Sequence, residues 1–151
     1  MRRREYAAVT AALLACIGAA GVRLARGEAP ALVQHFDSMQ EVKYPWGWIR
    51  WLMNSKLDPG AAQTFGIVEI KGGGRNTLHK HPNCEELLYV LSGAATHVIG
   101  DKKVSIRKGD LIRVPPNTPH MAIVTSSEPL RAVISYSSGD RQVVDLGPGK
   151  E

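Results

Sequence analysis

Three of the five histidines in this 151-residue chain fall in two short stretches, and a carboxylate stands among them. His79 and His81 flank Lys80, four residues separate His81 from Glu86, and His120 follows the stiff corner Pro115-Pro116-Asn117-Thr118-Pro119. On a β-strand alternate side chains share a face, so His79 and His81 project together with Lys80 opposite, and their imidazoles converge on one ion. The Pro82-Asn83-Cys84 turn returns the chain to a strand with Glu86 at its start. If that strand pairs beside the first, a carboxylate oxygen joins the two nitrogens, and His120 supplies a third nitrogen. Glu85 is the rival for Glu86, but the six-residue interval to Gly93 and the alternation with Leu88 and Val90 favour Glu86 pointing inward. Three imidazoles and one carboxylate form a borderline to hard site that suits Fe(II), Mn(II), Ni(II), Co(II) or Zn(II). In octahedral geometry such a set leaves positions for water, dioxygen or a bidentate substrate, so the metal can act as a Lewis acid or activate oxygen. His35 reads as a surface residue and His97 as a solvent-facing or barrel-lining strand residue, each without such partners.

The elements that must position these groups are short and of β type. The runs are Thr64 to Lys71, Thr77 to His81, Glu86 to Leu91, Ala94 to Ile99, Lys103 to Arg107, Leu111 to Val114, His120 to Thr125 and Leu130 to Tyr136. Turn residues punctuate them, among them Gly72-Gly73-Gly74, Ser92-Gly93, Gly100-Asp101 and Lys108-Gly109-Asp110, as closely spaced antiparallel strands require. No long helical period interrupts the series, which predicts an all-β barrel or sandwich. Phe65, Ile67, Leu88, Val90, Ile112, Val114, Ala122 and Val124 are candidates to line a mostly apolar pocket, with membership set by a register in which one residue of slip flips the face.

These residues carry a resemblance. Gly73, His79, His81, Glu86 and Gly93 match the first motif of the cupin superfamily in spacing, and Gly109, Pro115 and His120 match the second. The chain is similar to small single-domain cupins over about Thr64 to Tyr136. The resemblance implies an antiparallel jelly-roll barrel, with His79, His81, Glu86 and His120 corresponding to the family's metal ligands. Asn117 stands where the family often has glycine and Val124 where it often has asparagine. Asn tolerates the left-handed backbone, so the turn survives. Three functions follow as expectations. One is a metal-dependent, dioxygenase-like oxidoreductase acting on an aromatic or enolic compound, with Glu86 as ligand and proton acceptor. Another is a metal-dependent isomerase or lyase of a sugar or organic acid, for which Lys71, Lys80, Arg113, Arg131 and Tyr136 are the nearby polar candidates. The third is a small-molecule or metal-binding envelope protein with no turnover.

Residues 1–29 differ from the rest: Arg2 to Arg4 precede a largely apolar stretch from Tyr6 to Val22, which reads as an export signal or, uncleaved, a membrane anchor. Localisation is then periplasmic, secreted or membrane-anchored, with membrane contact only through this leader. The five basic and two acidic residues of that segment leave 14 basic and 12 acidic in the remaining 122, a scattered near-balance that speaks against nucleic-acid binding. Cys16 and Cys84 are the only cysteines, so a cleaved chain has no internal disulfide. Residues 30–61 read as an N-terminal arm with an ill-defined helix or turn near Ser38 to Val42, followed by Trp46 and Trp48 on one strand face and Trp51 on the other. Those rings are read as closing one end of a core or forming a dimer contact, with an aromatic ligand platform as the alternative. Residues 62–137 are the barrel, and residues 138–151 an edge strand and tail. Leu87, Tyr89 and Leu91 give one apolar outer face and point to a homodimer.

Overall fold

The computed structural model describes residues 33–149; the leader at 1–29 lies outside them. After a 3-10 turn at Phe36–Ser38 come eleven strands: β1 (Glu41–Tyr44), β2 (Gly47–Met53), β3 (Thr64–Ile70), β4 (His79–Lys80), β5 (Glu86–Ser92), β6 (Ala94–Ile99), β7 (Lys102–Arg107), β8 (Leu111–Val114), β9 (His120–Val124), β10 (Leu130–Tyr136) and β11 (Val144–Asp145). They form two antiparallel sheets, ordered β1-β2-β3-β10-β5-β8 and β11-β4-β9-β6-β7. This is the all-β architecture that the short, turn-punctuated runs imply, arranged as the jelly roll that the cupin resemblance implies. No helix among the described residues is long and apolar enough to cross a membrane.

The core sits where the inward faces of the sheets meet. Along β5, Glu86, Leu88 and Val90 are buried while Leu87, Tyr89 and Leu91 are exposed, the period-two pattern of a strand with one solvated face. β10 buries Leu130, Ala132, Ile134 and Tyr136 in the same way. Gly93 turns the chain between β5 and β6 at φ 77°, and a Cβ there would stand 2.6 Å from Pro129 O. Glycine is therefore required at that turn by both backbone conformation and close approach. Asn117 adopts φ 59°, the left-handed conformation expected for its place in the proline corner.

Four local readings change. In β3 the inward set is Thr64, Gly66, Val68 and Ile70, so Phe65 and Ile67 face outward with Glu69 and do not line the pocket. Both sets are apolar enough to serve, and the carboxylate of Glu69, held by Trp48 Nε1 at 3.0 Å, fixes the polar face outside. The expected strand Thr77 to His81 shortens to His79–Lys80, because the Asn76 side chain engages Ala122 N at 2.7 Å and Asn117 N bonds His81 O at 2.7 Å. Residues near Ser38 to Val42 divide between the 3-10 turn and β1, an exposed four-residue strand with no burial alternation to announce it. Trp46 is not on a strand face with Trp48: Tyr44 pairs with Gly47, leaving Pro45-Trp46 as the hairpin turn, where Trp46 stacks on Tyr44 at 4.6 Å and packs against the core. Trp48 lies on the outer face near Phe36, and Trp51 packs toward Tyr136 on the opposite face.

Candidate metal centre

His79, His81 and His120 come from one sheet and Glu86 from the other. His79 is paired directly with His120 across β4 and β9, and His81 follows β4 immediately. Glu86 opens β5, whose neighbours are β10 and β8, so its carboxylate reaches the histidines across the barrel interior. Side-by-side pairing of the Glu86 strand with the His79 strand, the condition under which the sequence brought the carboxylate to the nitrogens, does not occur. The convergence depends on how the two sheets close over one another. Glu85, one residue earlier, faces outward and pairs with Arg113.

One possible ligand atom from each of the four side chains lies within 4.8 Å of every other, and His81, Glu86 and His120 are buried. Their ring centroids are 4.2 Å apart for His79 and His120, 5.0 Å for His79 and His81, and 5.2 Å for His81 and His120. Each imidazole is held through Nδ1–H, which donates to a backbone carbonyl: His79 to Thr77 O at 2.9 Å, His81 to Gln142 O at 2.7 Å and His120 to Thr118 O at 2.9 Å. A carbonyl only accepts, so all three rings carry a proton on Nδ1 and turn Nε2 toward the interior of the site. Outer hydrogen bonds of this kind orient metal-binding histidines.

The Nε2 atoms then face a carboxylate. His120 Nε2 is 2.8 Å from Glu86 Oε2, and His81 Nε2 is 3.2 Å from the same oxygen with no hydrogen-bond partner of its own. Lone pairs directed at a carboxylate inside a low-dielectric core repel unless a cation lies between them. Either a proton or a metal ion satisfies that demand, and the donor set of three nitrogens and one oxygen fits a divalent transition metal. The electrostatics agree. Burial pushes the Glu86 carboxyl up, but bonding and charge from His120 and His81 outweigh it and hold the group well below the usual carboxylate range. Burial pushes His120 down, yet the Glu86 carboxylate raises it above the ordinary imidazole value. His79 is lowered to about 4 by burial and then by His120, which keeps it neutral and ready to ligate.

The site opens into a cavity of about 420 Å³. Leu88 and Ala122 line it as the alternation suggests, joined by Val68, Ile70, Ile134 and Trp46. Val90, Ile112, Val114 and Val124 are buried in the core without lining the cavity. His97 turns out to be barrel-lining, with 2% exposure, and its ring stacks at 6.0 Å from that of His120. His35 is exposed. Of the polar candidates, Tyr136 lines the cavity and sets its ring edge against His81 at 4.8 Å. Lys71 bonds Pro45 O, Arg113 pairs with Glu85, and Arg131 lies over Phe36 and Trp48. Arg141 and Asp145, both in the cavity wall, went unforeseen. They belong to a polar tail beyond the second motif whose only sequence signal was a short edge strand.

The family described as Cupin domain matches residues 66–136. The uncharacterized protein MJ1618 of Methanocaldococcus jannaschii is 30% identical over 101 residues, an alignment spanning 64% of this chain and 81% of that protein. The chain belongs to the cupin superfamily. Among solved structures, this cupin resembles Lactobacillus farciminis oxalate decarboxylase in its formate complex at TM-score 0.69 and 24% identity, over 74% of this chain and 35% of that one. It also resembles Bacillus subtilis oxalate decarboxylase, a protein with Mn(II) centres, at TM-score 0.68 and 20% identity, over 74% and 31%. The chain thus spans about a third of the length of those enzymes, and the likeness is one of fold.

Proposed function

We propose that this cupin is a metal-dependent enzyme, an oxygenase acting on a small organic molecule, with His79, His81, Glu86 and His120 holding a divalent Fe, Mn, Ni, Co or Zn ion. The observation that carries this is the convergence of three Nδ1-anchored imidazoles and one ionised carboxylate beside a largely apolar cavity of about 420 Å³. A bound ion supplies Lewis acidity and a meeting point for dioxygen and an organic ligand. The chain supplies the rest. Val68, Leu88 and Ile134 exclude water and take the apolar body of the substrate, while Trp46 borders it at the hairpin turn. Glu86, whose Oε2 faces the imidazoles and whose carboxylate also meets the Tyr136 side chain, is the group assigned to accept a proton from an enol or phenol.

A lyase acting on an organic acid is the second reading, suggested by the oxalate decarboxylases that share the fold. Oxygen uptake with catechols, flavonols and diketones supports the oxygenase, whereas conversion under strict anaerobiosis transfers the assignment to the lyase. Binding of these compounds with thermal stabilisation and no product would make the protein a non-catalytic receptor. Export through residues 1–29 belongs to the same proposal, resting on Arg2 to Arg4 and the apolar stretch after them. So does a homodimer through Leu87, Tyr89 and Leu91, exposed at 38%, 43% and 37% on one face of β5.

A further inference from the structure

Arg141 stands in the wall of the metal-site cavity, half-buried among mostly apolar neighbours. Its guanidinium carbon lies 4.8 Å from the Trp51 ring and 5.0 Å from the Tyr136 ring. The two aromatic rings fix the plane of the fork and cover part of its hydrophobic area. No carboxylate of the described residues is in ion-pair contact with it, although Asp145 and Glu86 line the same cavity. The Glu86 carboxylate is already engaged by the His81 and His120 rings. A cation partly withdrawn from water, held in place by rings and left without an anion, is an incomplete arrangement. Tyr136 bridges it to the metal-binding group, because the His81 ring centre is 4.8 Å from the other end of that contact. The guanidinium is therefore within about 10 Å of the His81 ring, a span that one aromatic or short-chain acid can cross.

We infer that Arg141 is the carboxylate receptor of this cavity, so that the substrate is an organic acid whose apolar or aromatic body lies along Val68, Leu88 and Ile134 with its far end at the metal-binding group. This rests on the proposed function for the identity of the far end, but the anion subsite stands on Arg141, Trp51 and Tyr136 alone. The planar fork matches a carboxylate through two parallel hydrogen bonds, and the apolar walls strengthen that pairing relative to water. A cavity of about 420 Å³ is large for a two-carbon diacid and suits an acid carrying a ring. Neutral analogues of the same shape would leave Arg141 unpaired and bind less well.

The test uses 3-phenylpropionate and its uncharged amide as probes, titrated calorimetrically into the full protein as purified and again after chelation. The acid should bind at least tenfold more tightly than the amide. In Arg141→Gln that preference should fall at least fivefold in both preparations, with metal content unchanged and amide affinity within about twofold of the parent. Arg141→Lys, which keeps the charge but loses the fork, should fall between. Tryptophan fluorescence of the unmodified protein, to which Trp46 in the cavity wall and Trp51 beside Arg141 both contribute, gives a reading that needs no variant: it should respond to the acid at concentrations at least tenfold below those the amide requires. A preference that survives in Arg141→Gln, or equal binding of acid and amide by the unmodified protein, overturns the assignment. Because binding to chelated protein involves neither metal nor turnover, failure of the enzymatic proposal leaves this result readable by itself.

Discussion

Replacing His97 with Phe separates the acid sensitivity of the cavity wall from that of the metal-binding group. His97 is 2% exposed, and its Nδ1 has no hydrogen-bond partner among the described residues. Burial lowers it from 6.5 to about 4; the Glu86 carboxylate opposes that shift and His120 adds to it. Between those two values the unfolded chain binds a proton that the folded chain refuses, so stability falls as pH falls. The full shift is worth about 3 kcal/mol at about 1.4 kcal/mol per unit, and about 2 kcal/mol of it is expressed between pH 7 and about pH 4.5. His79 has a similar shift and contributes a similar loss in both proteins. Phe has nearly the shape of His and borders open cavity, so its extra volume has somewhere to go. Urea unfolding of chelator-treated protein should therefore show His97→Phe losing about 2 kcal/mol less than the parent over that interval, whatever their offset at pH 7. Parallel stability profiles, differing by less than about 0.5 kcal/mol in slope across the range, would refute the reading of His97 as a neutral buried imidazole.

Protein purified without chelator should carry close to one equivalent of a transition metal; His81→Ala and Glu86→Gln should retain less than about half of that by elemental analysis while keeping the β-sheet circular dichroism of the parent. Gly93→Ala should destabilise by about 3 kcal/mol or more, because the alanine would occupy φ 77° and press on Pro129 O, whereas Gly109→Ala, at φ 94° with open space around it, should cost about 1 kcal/mol in the same urea assay. Sedimentation at micromolar concentration should find a dimer that Tyr89→Lys converts to monomer; a parent protein that sediments only as monomer removes the β5 face from the interface.

Period-two alternation made β5 legible from sequence. Glu86, Leu88 and Val90 fall on one face and Leu87, Tyr89 and Leu91 on the other because successive Cβ atoms point to opposite sides of a strand. The same local rule, with the intervals to Gly93 and Gly109, marked the ligand-type residues His79, His81, Glu86 and His120. In β3 the rule spoke only through Glu69, since Phe65 and Ile67 on its face are as apolar as Val68 and Ile70, and pairing with β2 and β10 completed the inward set. Across the barrel, local sequence has no reach. Glu86 meets the histidines from the opposite sheet, and the carbonyls of Thr77, Thr118 and Gln142 that fix the imidazoles are backbone atoms common to every residue, positioned by tertiary path alone. Arg141 is the clearest instance: its tail has no strong pattern, and it enters the cavity wall where the chain folds back so that β11 pairs with β4. Residue types and intervals thus determined which groups could bind an ion, because those depend on neighbours along the chain. Closure of the two sheets decided which rings share a proton-poor interior and which cation waits beside them, because those contacts join residues far apart in sequence.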